Sequence, residues 1–100
     1  MEAILDMSRE RRMELADTYK RLKALTNGET KNGGLFEGFR VEHGYASYKF
    51  SGTITDRFVE LLGRMPTADE IILLVDNGYS HFGATCKIEG RRFSGRVNTD

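Results

Sequence analysis

From Phe82 to Ile88 every second residue is apolar: Phe82, Ala84, Cys86 and Ile88. Successive side chains of an extended chain point to opposite sides, so this period is that of a strand with one buried face. Glu89-Gly90 interrupts the pattern, and Phe93 and Val97 resume it on one face. The spacing predicts two antiparallel strands over residues 79–98 that turn at Glu89-Gly90. Something else in the chain must cover their apolar side, because a half-apolar sheet is not stable in water alone.

The rest of the sequence supplies the covering elements. Residues 8–26 read as a helix, with Ser8 or Asp6 as its N-cap and Asn27-Gly28 as its stop. Met13, Leu15, Ala16, Tyr19, Leu22 and Leu25 recur along it at helical spacing. A loop rich in Gly and Asn follows over residues 27–34. Residues 35–52 read as a hairpin, with strands Leu35–Glu42 and Tyr45–Gly52 and a turn at His43-Gly44. Ala46, Tyr48 and Phe50 fall on one face of the second strand. Residues 55–63 read as a short helix. Thr55 caps it, Ile54 and Val59 have the spacing of a hydrophobic staple, and Gly63 and Pro66 close it.

Residues 67–76 carry two conflicting signals. Thr67-Ala68-Asp69-Glu70 has the spacing of a capping box, which starts helices. Ile71-Ile72-Leu73-Leu74-Val75 is short, rich in β-branched residues and followed by Asp76-Asn77-Gly78, which suits a buried strand entering a turn. We read it as a strand, so that residues 70–98 form a three-stranded meander. The expected fold is α+β: a five-stranded, mostly antiparallel sheet and two helices in the order α-β-β-α-β-β-β. With 100 residues the chain has room for a single domain.

Charge narrows the functional classes. Fifteen basic residues balance fifteen acidic ones. A strongly basic nucleic-acid binder or a strongly acidic mimic of a phosphate backbone would not be neutral. The lone Cys86 excludes an intramolecular disulfide. The first residues lack the basic start and apolar run of a secretory signal, and no apolar stretch is long enough to cross a bilayer. The expectation is a cytoplasmic protein without membrane contact.

Catalytic chemistry finds little support. His43, His81 and Cys86 are the softest metal ligands, but they have no ligand spacing, and His81 and Cys86 have opposite strand parity. Cys86 sits in an apolar row, which disfavours a reactive thiolate. Asn32-Gly33-Gly34 is followed by a strand, whereas phosphate cradles need a helix N-terminus. We expect no catalytic residues, no metal site and no cofactor.

The strongest local signal is basic. Lys87, Arg91, Arg92 and Arg96 crowd the last hairpin, opposed only by Glu89. Arg92 and Arg96 share one face, while Arg91 shares the face of Phe93 and Val97. Arg9, Arg11 and Arg12 form a second cluster, and Tyr45, Tyr48 and Tyr79 could add aromatic contact area. Tyr and Arg are enriched at protein interfaces. These ten residues are the candidate binding set. The expectation is a non-enzymatic accessory protein that binds a macromolecule, of the kind that bacteriophages and mobile elements encode as inhibitors of host proteins. A protein is the expected partner. One alternative is nucleic-acid or nucleotide binding through the basic hairpin. Another is a small-molecule or catalytic site between subunits of a homo-oligomer.

Overall fold

Helix α1, Arg9–Leu25, begins where Ser8 Oγ accepts the Arg11 backbone N–H at 3.2 Å. In the computed structural model, which describes residues 8–31, 33–76 and 83–98, it is followed by strands β1 (Phe36–Gly44) and β2 (Ser47–Ile54). Two short helices come next, α2 (Asp56–Leu62) and α3 (Ala68–Val75), and then strands β3 (Thr85–Glu89) and β4 (Arg92–Asn98). The architecture is α+β, as expected. The details differ: three helices and a four-stranded antiparallel sheet replace two helices and five strands, and the order is α-β-β-α-α-β-β. Two hairpins meet through their inner strands, giving the sheet order β1-β2-β4-β3.

The difference lies at residues 68–75, which are helical. The capping signal prevails over the β-branched run. Glu70 reaches back to accept the Thr67 backbone N–H at 2.9 Å, satisfying a donor that a helix start otherwise leaves open. Every residue from Glu70 to Val75 is buried. A helix covered on all sides has no apolar stripe, so its sequence cannot be told from a buried strand by periodicity. The layers explain the burial, since α3 packs against both α1 and β3. The Asp76-Asn77-Gly78 turn, Tyr79 and Phe82 lie outside the described residues, apart from Asp76 itself.

Other local expectations shift by smaller amounts. The first hairpin turns at Tyr45-Ala46 instead of His43-Gly44, and Ala46 supplies the positive φ of 57°. The second turn falls at Gly90-Arg91, since Glu89 pairs with Arg92. Thr55 caps α2 as expected, accepting the Phe58 N–H at 3.2 Å. On α1 only Leu15 and Leu22 of the expected stripe are buried, Tyr19 is half-buried, and Met13 and Leu25 are 57% and 45% exposed. The buried Leu15 and Leu22 stand two helical turns apart on one side of α1, and Met13 and Leu25 lie off that side in water.

The sheet core is built on two cross-strand pairs of Phe and Gly. Phe50 stands opposite Gly95, and Gly52 stands opposite Phe93. Each ring lies over the bare backbone of its partner. A Cβ at Gly52 would come within 2.9 Å of Phe93 Cζ, and one at Gly95 would collide with Thr85 O and Phe50 Cζ. Phe36 completes the cluster, with its ring centroid 4.9 Å from Phe93 and 5.7 Å from Phe58 of α2. Gly95→Ala should therefore destabilise the fold by about 1–3 kcal/mol, the usual cost of forcing atoms into a packed core. A urea titration followed by circular dichroism checks this; an unchanged midpoint would refute the packing account.

The start of α3 is held by ion pairs. Arg64 forks onto Glu70, with Nη1–Oε1 at 2.8 Å and Nη2–Oε2 at 2.7 Å. Arg11 of α1 forks onto Asp69, at 3.0 Å from Nε and 2.8 Å from Nη2. Burial alone would raise the Glu70 pKa, but hydrogen bonds from Arg64 and the Thr67 backbone hold it below the usual carboxylate value. Asp69 is likewise lowered: desolvation is outweighed by Arg11 and Thr67. A carboxylate with a lowered folded-state pKa stabilises the fold above its unfolded pKa of about 4, and that stability disappears as pH falls through the lower folded value. Glu70→Gln should therefore lower the urea midpoint at neutral pH and flatten the loss of stability on acidification. Parallel acid titrations of the two proteins measure the difference.

Candidate binding surface on the open face of the sheet

All three helices lie on one side of the sheet, where Phe50, Ile54, Phe93 and Val97 are buried. Among the described residues nothing covers the other side. The strand register arranges that open face in rows. One row runs Glu42, Lys49, Arg96, Thr85. The next runs Arg40, Ser51, Ser94, Lys87, and the third runs Glu37, Thr53, Arg92, Glu89. The face is polar throughout because its residues occupy the alternate positions to the buried Phe and Val.

The charges in these rows are not scattered evenly. Ser51 and Ser94 sit side by side at the centre. Arg40, Lys49, Lys87, Arg92 and Arg96 surround them, while Glu37, Glu42 and Glu89 occupy three corners. The sheet is hollowed here: a shallow depression of about 640 Å³ is lined by Arg40, Lys49, Ser51, Lys87, Ser94 and Arg96. Lys87 pairs with Glu89 at 3.0 Å. Among the described residues, Arg40, Lys49, Arg92 and Arg96 form no ion pair. All four are exposed, and they flank the Ser51–Ser94 pair.

The residues singled out from sequence are thus divided. Lys87, Arg92 and Arg96 stand on the open face. Arg91 occupies the hairpin turn and binds back to the helix side, with Nη2 at 3.1 Å from Asp56 and Nη1 at 3.4 Å from the Ile54 carbonyl. Arg11 is engaged in the α1–α3 clamp, and Arg9 and Arg12 are exposed on α1, away from the open face. Tyr45 projects from the β1–β2 turn, 99% exposed. Tyr48 lies on the helix side, its hydroxyl donating to Asp76 at 3.1 Å. Burial, then the Asp76 charge, pushes its pKa up to about 12. Tyr79 and His81 lie outside the described residues.

Arg40 and Lys49 belong to the patch and were not singled out from sequence. Lys49 alternates with the apolar Phe50, and Arg40 alternates with Phe39 and Val41, which places each on the polar side of its own strand. Only the pairing of β2 with β4 sets that face beside the C-terminal cations.

The alternatives of reactive chemistry fare differently. Among the described residues no group of three or more His, Cys, Asp or Glu could hold a metal ion. His43 is exposed on β1. Cys86 faces the helices, opposite Gly95, and burial pushes its thiol pKa up to about 12. No helix among the described residues is long and apolar enough to cross a membrane. Comparison with protein-family models, curated proteins and solved structures returns no match.

A thiol of such high pKa is almost wholly protonated at pH 8 and is a poor nucleophile. Cys86 should react with a thiol-specific disulfide reagent many times more slowly in the folded chain than in urea. Equal rates in the two states would mean that the side chain is accessible and normally acidic.

Proposed function

We propose that the protein is a non-enzymatic binding protein that presents the open face of its sheet to an acidic surface on another protein. The observation that carries this reading is the group of cations around Ser51 and Ser94 that form no ion pair among the described residues, Arg40, Lys49, Arg92 and Arg96, of which Arg40, Lys49 and Arg96 line a depression. Arg and Lys side chains held there by a rigid sheet can meet carboxylates without reorganising the backbone, and Arg forks suit carboxylates bidentately.

The acidic corners favour a protein over nucleic acid. Glu37, Glu42 and Glu89 would repel a continuous phosphate backbone, but each can pair with a Lys or Arg flanking a partner's acidic centre. The rows of the open face also contain no aromatic residue, so they lack the stacking platform by which sheet surfaces hold single strands. The same pattern argues against a second copy as the partner of this face. A dyad lying in the interface along the strands would set Arg40 against Lys87 and Lys49 against Arg96; a dyad across them would set Arg40 against Arg40 and Arg92 against Arg96. Both stack like charges. Occlusion of the partner's acidic site, the action of an inhibitor, is the simplest consequence of such binding.

The test is a pull-down from source-cell lysate using the tagged protein and its Arg92→Glu, Arg96→Glu double variant, each with and without nuclease. The expected result is a protein that wild type retains after nuclease treatment and the variant loses. Equal retention by both would remove the open face as the interface. Recovery that vanishes with nuclease would transfer the reading to nucleic acid, whose binding should then weaken steeply with salt.

A further inference from the structure

Strand β1 is a sheet edge of nine residues, Phe36–Gly44. Edge strands present unpaired N–H and C=O groups, and proteins commonly guard them with Lys, Pro or bulges. β1 has no Lys and no Pro. Its bulge lies between Glu37 and Arg40, where Gly38 has a φ of 63°, and the pairing is regular from Arg40 to Gly44. That regular stretch carries Val41, which is 42% exposed. On the helix side, Phe39, Val41, His43 and Tyr48 line a hollow of about 350 Å³ beside this edge.

From this edge we infer that the protein forms a symmetric dimer in which β1 pairs antiparallel with β1 of a second copy about a dyad at Val41. The charge pattern selects that register. A dyad normal to the sheet keeps the helices of both copies on one side and allows only registers in which residues of like parity face each other. With the dyad at Arg40, that residue would face itself; at Glu42, Glu42 would face itself. With the dyad at Val41, Arg40 stands opposite the partner's Glu42 and Glu42 opposite the partner's Arg40, while Val41 meets the partner's Val41. Cross-strand pairs of opposite charge stabilise a sheet and like charges oppose it. The two sheets become one, with both open faces on the same side. One strand edge is a small contact, so the association is reversible and concentration-dependent. The inference does not rest on the reading of the open face.

Sedimentation velocity of the full chain over a wide concentration range tests it. The expected limit is twice the 11.3 kDa chain mass. Arg40→Glu and Glu42→Arg should each raise the dissociation constant at least about tenfold, because two symmetry-related pairs turn from attractive to repulsive. The double swap Arg40→Glu, Glu42→Arg should restore association. In a Cys86→Ser background, Val41→Cys should form an interchain disulfide on mild oxidation, since residues facing across a strand pair lie within bonding range. A monomer at every concentration, or a dimer indifferent to the single reversals, would overturn the proposal. Failure of the double swap to restore association, or absence of the Val41→Cys crosslink, would also overturn it.

Discussion

The burial of α3 on every side is the constraint from which the rest of this structure follows. Its short apolar run, Ile71–Val75, has no polar face to give to water. It must be enclosed, with the sheet on one side and α1 on another. Enclosing a helix start would strand its backbone donors and the Glu70 carboxylate, so the chain surrounds that end with Thr67, Arg64, Asp69 and Arg11. Arg11 thereby joins α1 to α3 through a forked ion pair. A buried carboxylate without such partners would be costly.

One-sided packing has a direct consequence for binding. All the apolar covering material in the described residues is used on the helix side of the sheet. The opposite face carries only polar side chains, held in fixed rows by the strands. The Phe50–Gly95 and Phe93–Gly52 pairs stiffen the same central strands from beneath. A rigid platform of this kind sets the distances between charges, and that geometry places Ser51 and Ser94 inside a group of cations. The neutral net charge of the chain conceals this local concentration, because acids and bases are segregated at the scale of single side chains.

The sheet also has two edges of different character. β3 spans only Thr85–Glu89 and carries Lys87, which suits a guarded edge. β1 is longer and bears Val41 flanked by one acid and one base. The open face repels a second copy under both in-plane dyads, whereas the β1 edge is self-complementary at Val41. Face and edge are thereby suited to different partners, a distinction that follows from the order of charges along each strand.

Short-range features were legible in the sequence. Alternation placed Cys86, Ile88, Phe93 and Val97 on one buried side, and Ser8 and Thr55 marked the starts of α1 and α2. Each depends on residues within a turn of helix or a single strand, so no distant contact is needed to read it. Arg92 and Arg96 were legible as a shared face for the same reason. The identity of α3 was not, because complete burial erases the periodicity that separates helix from strand. The fate of Arg11 was not, because its partner Asp69 lies on another element. The joining of Arg40 and Lys49 to the C-terminal cations was decided by the β2–β4 pairing alone. Sequence determines which side of a strand a residue occupies; only the tertiary structure decides which strand lies next to it, because strand order depends on contacts between elements far apart in the chain.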